Sequence, residues 1–192
     1  MNIFIALDRS GSMGGQRWAD SISSLNEYIN GLKSAKIEGA ATIVAFDSID
    51  GKTRLEKLEL SIPYFEGVSE DWVYPAGMTP LYDAAAHVMD LALASDADRN
   101  VVVILTDGME NTSKEHTQSS IKAKTELMQS KGYEVIFLGA NFDVTQYASD
   151  AGLSSGKMRS FDMSDLSART ATMGTLMNQT VAYATTGKGI EL

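Results

Sequence analysis

The 192-residue chain has no cysteine, which excludes a disulfide framework, a thiol nucleophile and any thiolate metal site. Proline is scarce, at three residues, and no apolar run approaches the ~18 residues that a membrane span requires. Basic residues are the minority, 16 Lys and Arg against 25 Asp and Glu for a net charge of -9. That balance argues against a general surface for nucleic acid or anionic lipid. The opening residues 1–8 are apolar but lack the basic flank and cleavage site of a secretory signal. What is present, 44% hydrophobic and 21% charged residues, is the composition of a compact globule. The expectation is one soluble, cytoplasmic domain over residues 1–192, burying roughly 70% of its unfolded surface.

Short β-branched runs alternate with helical periodicity along nearly the whole chain, which predicts an α/β fold. The expected form is doubly wound, a mostly parallel sheet of about six strands with helices on both faces. Residues 2–7 are the first strand. Trp18, Ile22, Leu25, Ile29 and Leu32 recur at steps of four and three, one face of a helix over 17–33, where Gly31 is a mild cost. Strands over 40–46 and 54–60 flank Asp50-Gly51, a hairpin signal that makes the second of them an antiparallel edge. After an irregular, aromatic-rich stretch over 61–78, Thr79 as N-cap and Pro80 at the first helical position are expected to start a helix. Residues 101–105 read as a strand buried on both faces. Thr112 and Glu115 match a capping box for a helix running to about Lys131, with Ile121, Leu127 and Met128 inward. A strand over 133–138, a short helix from Asp143, a strand over 157–161 and a terminal helix from Ser164 complete the pattern. Leu166, Met173, Met177 and Val181 are expected on the buried side of that last helix.

In an open parallel sheet the ligand lies beyond the carboxyl ends of the strands. Three loops there are rich in oxygen: Asp8-Arg9-Ser10-Gly11-Ser12-Met13, Gly77-Met78-Thr79-Pro80, and Thr106-Asp107-Gly108. Two carboxylates and three hydroxyls are hard donors, suited to magnesium or manganese rather than zinc. The two acids balance a divalent ion while the hydroxyls add no charge, so the ion stays electrophilic toward an outside anion. Taken singly, each residue has an ordinary reading: Thr79 a helix cap, Ser10 and Ser12 turn residues, Asp107-Gly108 a turn pair, Asp8 a hydrogen-bonded strand-end acid. Five such oxygens at the ends of three separate elements outweigh those readings together.

Asp8-x-Ser10-x-Ser12, Thr79 and Asp107 resemble the metal-ion-dependent adhesion site of the von Willebrand factor type A domain, and the α/β pattern is similar to one such domain over residues 1 to about 184. The likeness is to stand-alone bacterial or viral members. It implies that Ser10, Ser12 and Thr79 coordinate magnesium, that Asp8 and Asp107 act largely through water, and that a partner's Glu or Asp completes the coordination. The function so implied is a non-enzymatic, magnesium-dependent protein-interaction module, a monomer or a subunit of a larger assembly. Met13, Met78 and Met109 would form an adaptable apolar rim, with Trp72 and Tyr74 adding anchor area.

The alternative is a metal-dependent phosphate-ester hydrolase, since strand-end aspartates also serve phosphoryl transfer. Against it, Ser10 stands where a haloacid-dehalogenase-like enzyme needs a second carboxylate, and His116, the only histidine near enough to serve as a base, reads as an exposed residue in the first turn of the helix after the Asp107 loop. His87 reads as structural. The stretch Gly152 to Met158 imitates a phosphate loop but lacks its spacing and terminal hydroxyl, and the Gly11, Gly14 and Gly15 cluster has the wrong spacing for a dinucleotide.

Overall fold

A computed structural model describes residues 1–141 and 143–192. In chain order the elements are β1 (Asn2–Asp8), α1 (Gln16–Ser34), β2 (Ala40–Ile49), β3 (Lys52–Ser61), α2 (Leu81–Leu93), β4 (Asn100–Thr106), α3 (Gln118–Ser130), β5 (Glu134–Ala140), α4 (Thr145–Asp150), β6 (Met158–Phe161) and α5 (Leu166–Thr186). The six strands form one sheet in the order β3-β2-β1-β4-β5-β6, parallel except for β3. Asp50 and Gly51 both take positive φ in the β2–β3 turn, as the hairpin signal requires.

The chain runs outward from β1 through β2 to β3, then returns to place β4 on the other side of β1. The order therefore reverses between β1 and β4, where a doubly wound sheet opens its ligand crevice. Alternation along β1 feeds two cores. Ile3, Ile5 and Leu7 pack with α1 and α5, while Phe4 and Ala6 pack with α2 and α3. Every residue of β4 is buried, which explains its unbroken apolar sequence. Among the described residues no helix is long and apolar enough to cross a membrane.

Several sequence expectations need correction. The helix after β4 does not begin at Thr112. Its N-cap is Thr117, whose side chain forms a reciprocal capping box with Ser120, and the segment before it is irregular because side-chain carboxylates bind its amides. Leu127 is exposed, and Thr125 takes the inward place between Ile121 and Met128. Leu166 is also exposed, because it opens α5 directly after the Asp165 cap, ahead of the first turn that meets the core. Gly31 is a packing requirement rather than a defect: a Cβ there would lie 2.7 Å from Met177 Cγ of α5, so its absence lets the two helices meet.

Candidate functional site

The β1 and β4 ends lie side by side in register, Leu7 opposite Leu105, so the residues that follow share one edge. Asp8 is fully buried there. Its Oδ1 accepts the Ser10 amide at 2.7 Å, a local turn that brings the chain back over the strand end. Its Oδ2 accepts the Thr106 hydroxyl at 2.6 Å, and that hydroxyl in turn accepts the Gly108 amide at 3.1 Å. A 3₁₀ turn over Gly11–Met13 then sets the Ser10 and Ser12 hydroxyls 3.1 Å apart. Ser12 Oγ donates to Asp107 Oδ1 at 2.6 Å. Asp8, Ser10, Ser12 and Asp107 thus form one continuous hydrogen-bonded circuit.

The third loop is tied to this circuit by its backbone. The Gly11 amide donates to Gly77 O at 3.0 Å, the Ala76 amide to Arg9 O at 2.8 Å, and Ser48 and Met78 exchange both amides at 2.9 Å. Gly77 permits the approach, with φ of 71° and a position where a Cβ would sit 2.2 Å from Ser48 O.

Thr79 is buried beside the Asp107 loop, its Oγ1 lying 3.7 Å from where a Gly108 Cβ would be. Contrary to the sequence expectation, it does not cap α2: Pro80 is the N-cap residue, without a side-chain bond. Remote side chains take over the task. Glu110 Oε2 accepts the Tyr82 amide at 3.0 Å and Ser113 Oγ accepts the Asp83 amide at 3.2 Å. Among the described residues the Thr79 hydroxyl makes no hydrogen bond, while its backbone is held by Asn111 through the Thr79 amide (2.9 Å) and carbonyl (3.2 Å).

Glu110 and Asp83 escaped sequence reasoning. Glu110 also accepts the Thr112 and Ser113 amides at 2.7 and 2.6 Å, and Asp83 accepts those of Lys114, Glu115 and His116 at 3.0, 3.1 and 2.9 Å. The available signal was an acid in the first turn of a helix that begins just after a predicted ligand residue. His116 is correspondingly misplaced by the sequence reading. It precedes α3 and lines a cleft of about 270 Å³ with His87, Asp83 and Asp90, and none of the five predicted metal residues borders that cleft. Burial keeps His87 below its usual pKa.

The electrostatics of the circuit are those of an under-compensated pair of acids. Burial, opposed by the bonds from Thr106 and Ser10 and assisted by Asp107, pushes the Asp8 pKa up to about 6. Arg9 turns away from the site to Asp47 (3.4 Å), which Arg54 also engages. The cation that does reach the circuit is Arg17, whose Nη1 lies 3.1 Å from Asp107 Oδ2 and 3.2 Å from Ser12 O. Among the described residues no group of three or more His, Asp or Glu could hold a metal, so an ion here would rely on hydroxyls. The donor set fits one: a buried carboxylate with no basic partner, an unpartnered threonine hydroxyl and two adjacent serine hydroxyls are hard, compact ligands.

Around this edge the large apolar side chains Ile49, Tyr74, Met78 and Met109 are exposed, and Trp72 is partly buried against the core. Met13 does not belong to the rim. It is wholly buried beneath the 3₁₀ turn, where it anchors the serine loop from below.

No curated protein matches the chain. Solved structures share its fold. The pilus adhesin SpaC from Lactobacillus rhamnosus GG, in an open conformation, matches at 13% identity over 94% of this chain and 30% of that one, with a TM-score of 0.71. The vWF domain of the type V pili tip protein Mfa5 from Porphyromonas gingivalis matches at 10% identity over 94% and 95%, with a TM-score of 0.66. The manganese-loaded TRAP protein of Plasmodium vivax matches at 14% identity over 90% and 72%, with a TM-score of 0.52. The chain thus spans about 30% of the length of SpaC. The family signature of the von Willebrand factor type A domain covers residues 2–179, and with the sheet order already described, the chain belongs to that family.

Proposed function

We infer that the chain is a divalent-cation-dependent protein-binding module whose partner presents an Asp or Glu side chain to the ion. The observation that carries this reading is the hydrogen-bonded circuit of Asp8, Ser10, Ser12 and Asp107 at the point where strand order reverses, with the uncommitted Thr79 hydroxyl beside it. Ser10, Ser12 and Thr79 would ligate the ion, and Asp8 and Asp107 would balance its charge. Magnesium is the expected metal, and manganese would fit the same oxygens. Bound there, the metal supplies a positive centre able to accept an oxygen ligand from outside.

The chain's own residues do the rest. Asp8 and Thr106 fix the strand-end geometry, the bond between Ser12 and Asp107 aligns two loops, and Ile49, Tyr74, Met78 and Met109 offer apolar area beside a point charge. Such a combination suits an acidic side chain flanked by apolar residues. Kinship with a manganese-loaded protein and with pilus adhesins supports the reading. An open edge with no histidine at the circuit suits binding better than hydrolysis.

Calorimetry with Mg²⁺ tests it. Wild type should bind one ion, and Asp8→Ala and Ser10→Ala should bind none while keeping the native circular dichroism spectrum. Unchanged Mg²⁺ affinity in either variant would remove the site assignment. A partner captured equally in Mg²⁺ and in EDTA would remove the role given to the ion.

A further inference from the structure

Arg17 is placed where helix energetics disfavour it. It is the second residue of α1, a helix whose first turn contains no acid, and a cation there faces the positive end of the helix dipole. What holds it is the circuit itself: Nη1 bridges Asp107 Oδ2 and Ser12 O, while about half of the side chain remains exposed at the mouth of the site. Asp162, which also feels its charge, is exposed and committed to Ser164.

We propose that Arg17 is a charge-setting residue that makes the site require an outside carboxylate, a step that rests on the metal-binding reading above. The reasoning is charge arithmetic. Asp8 and Asp107 together cancel a divalent ion, so without Arg17 a loaded site carries no net charge and draws an incoming anion less strongly. Arg17 pairs with Asp107 and leaves the loaded site with one net positive charge, which one partner carboxylate neutralises. The same charge opposes the ion when it arrives alone. Arg17 therefore weakens the ion bound alone and strengthens the carboxylate on the loaded site, so that at a given carboxylate concentration more of the site's metal affinity depends on the carboxylate.

The test is Mn²⁺ titration calorimetry at fixed low ionic strength, in chloride and in acetate, with acetate as the carboxylate probe and a correction for its complex with free Mn²⁺. Wild type, Arg17→Gln and Arg17→Lys are compared, and circular dichroism checks that each is folded. Wild type should bind Mn²⁺ several-fold more tightly in acetate than in chloride. Arg17→Gln should bind Mn²⁺ about tenfold more tightly than wild type in chloride, the effect of one like charge near a divalent ion in a water-like medium, and should lose most of the acetate enhancement. Arg17→Lys, which keeps the charge, should follow wild type. Equal behaviour of Arg17→Gln and wild type overturns the charge-setting role while leaving the metal site standing, as does Arg17→Lys behaving like Arg17→Gln. Absence of Mn²⁺ binding by wild type in both salts overturns the metal site and this role together.

Discussion

Two pairs of acids at the carboxyl edge of the sheet, Asp83 with Glu110 and Asp8 with Asp107, have opposite fates. Asp83 and Glu110 are saturated: Asp83 accepts three backbone amides and the Thr53 hydroxyl, and Glu110 accepts three amides and the Ser113 hydroxyl. Both stand at the start of α2, where the helix dipole favours negative charge. Asp8 and Asp107 accept fewer bonds, Asp8 feels the charge of Asp107, and the one cation at the pair, half-exposed Arg17, reaches Asp107 alone. A saturated carboxylate is structural glue. An unsaturated one, held rigidly at a strand end, is what the proposed cation site uses as counter-charge.

The largest effect should come from breaking the saturated pair. Asp83→Ala strands three partly buried amides of the loop before α3 and removes a favourable charge from the first turn of α2, and it should cost about 3–4 kcal/mol in urea denaturation. If the loss were under 1 kcal/mol, Asp83 would not organise that loop.

Asp8 should respond in the opposite direction. Its folded pKa is raised from 3.8 to about 6, so the folded state binds more protons than the unfolded state in that window. The resulting stabilisation is full below pH 3.8 and is lost as pH rises through about 6. Asp8→Asn removes that titration. In EDTA above pH 7 the variant should be more stable than wild type by up to about 3 kcal/mol, the gap closing toward pH 4. Wild type being the more stable at pH 8 in EDTA would mean that Asp8 is compensated within the fold, like Asp83.

The same contrast explains what could be read from sequence. The alternation of strands and helices, the antiparallel β3 and the five-oxygen set follow from patterns local to one element, strand end or turn: the alternation in β3, the Asp50-Gly51 turn, the Asp8-x-Ser10-x-Ser12 spacing. What failed depends on partners remote in sequence. Thr79 looked like a cap because nothing local showed Glu110 and Ser113 reaching back across some thirty residues to the amides of Tyr82 and Asp83. Thr112 and Glu115 looked like a capping box because Asp83's claim on the Glu115 amide is invisible in a window of that length. Met13 was assigned to the rim by its neighbours in sequence, whereas the 3₁₀ turn rotates it into the core.

Divalent ions should shift stability by a smaller amount than these substitutions. A ligand held only by the folded state at a hundredfold excess over its dissociation constant adds about 2.7 kcal/mol. For a domain of this size that corresponds to roughly 5–10 °C in Tm. The shift should vanish in Asp8→Asn and persist in a surface control such as Leu127→Gln. Identical melts in EDTA and in millimolar Mg²⁺ would place Asp8 and Asp107 with the saturated acids rather than apart from them.

The smallest expected stability change is the most informative. If Thr79 capped α2, Thr79→Ala would cost about 1 kcal/mol. The cap is instead supplied by Glu110 and Ser113, and the buried Thr79 hydroxyl makes no bond among the described residues, so in EDTA the loss of a buried methyl is offset by removal of an unpaired hydroxyl and the variant should unfold within about 0.5 kcal/mol of wild type. Its cost should appear only when an ion is added: loss of one of three neutral ligands should weaken Mg²⁺ about tenfold and reduce the thermal shift accordingly. A Glu110→Ala variant run alongside should show the converse, a clear loss of stability in EDTA, because the Tyr82, Thr112 and Ser113 amides lose their acceptor. Thr79→Ala destabilising the metal-free fold by a full kcal/mol, with Mg²⁺ affinity intact, would return Thr79 to the role of an ordinary cap and leave the site one ligand short.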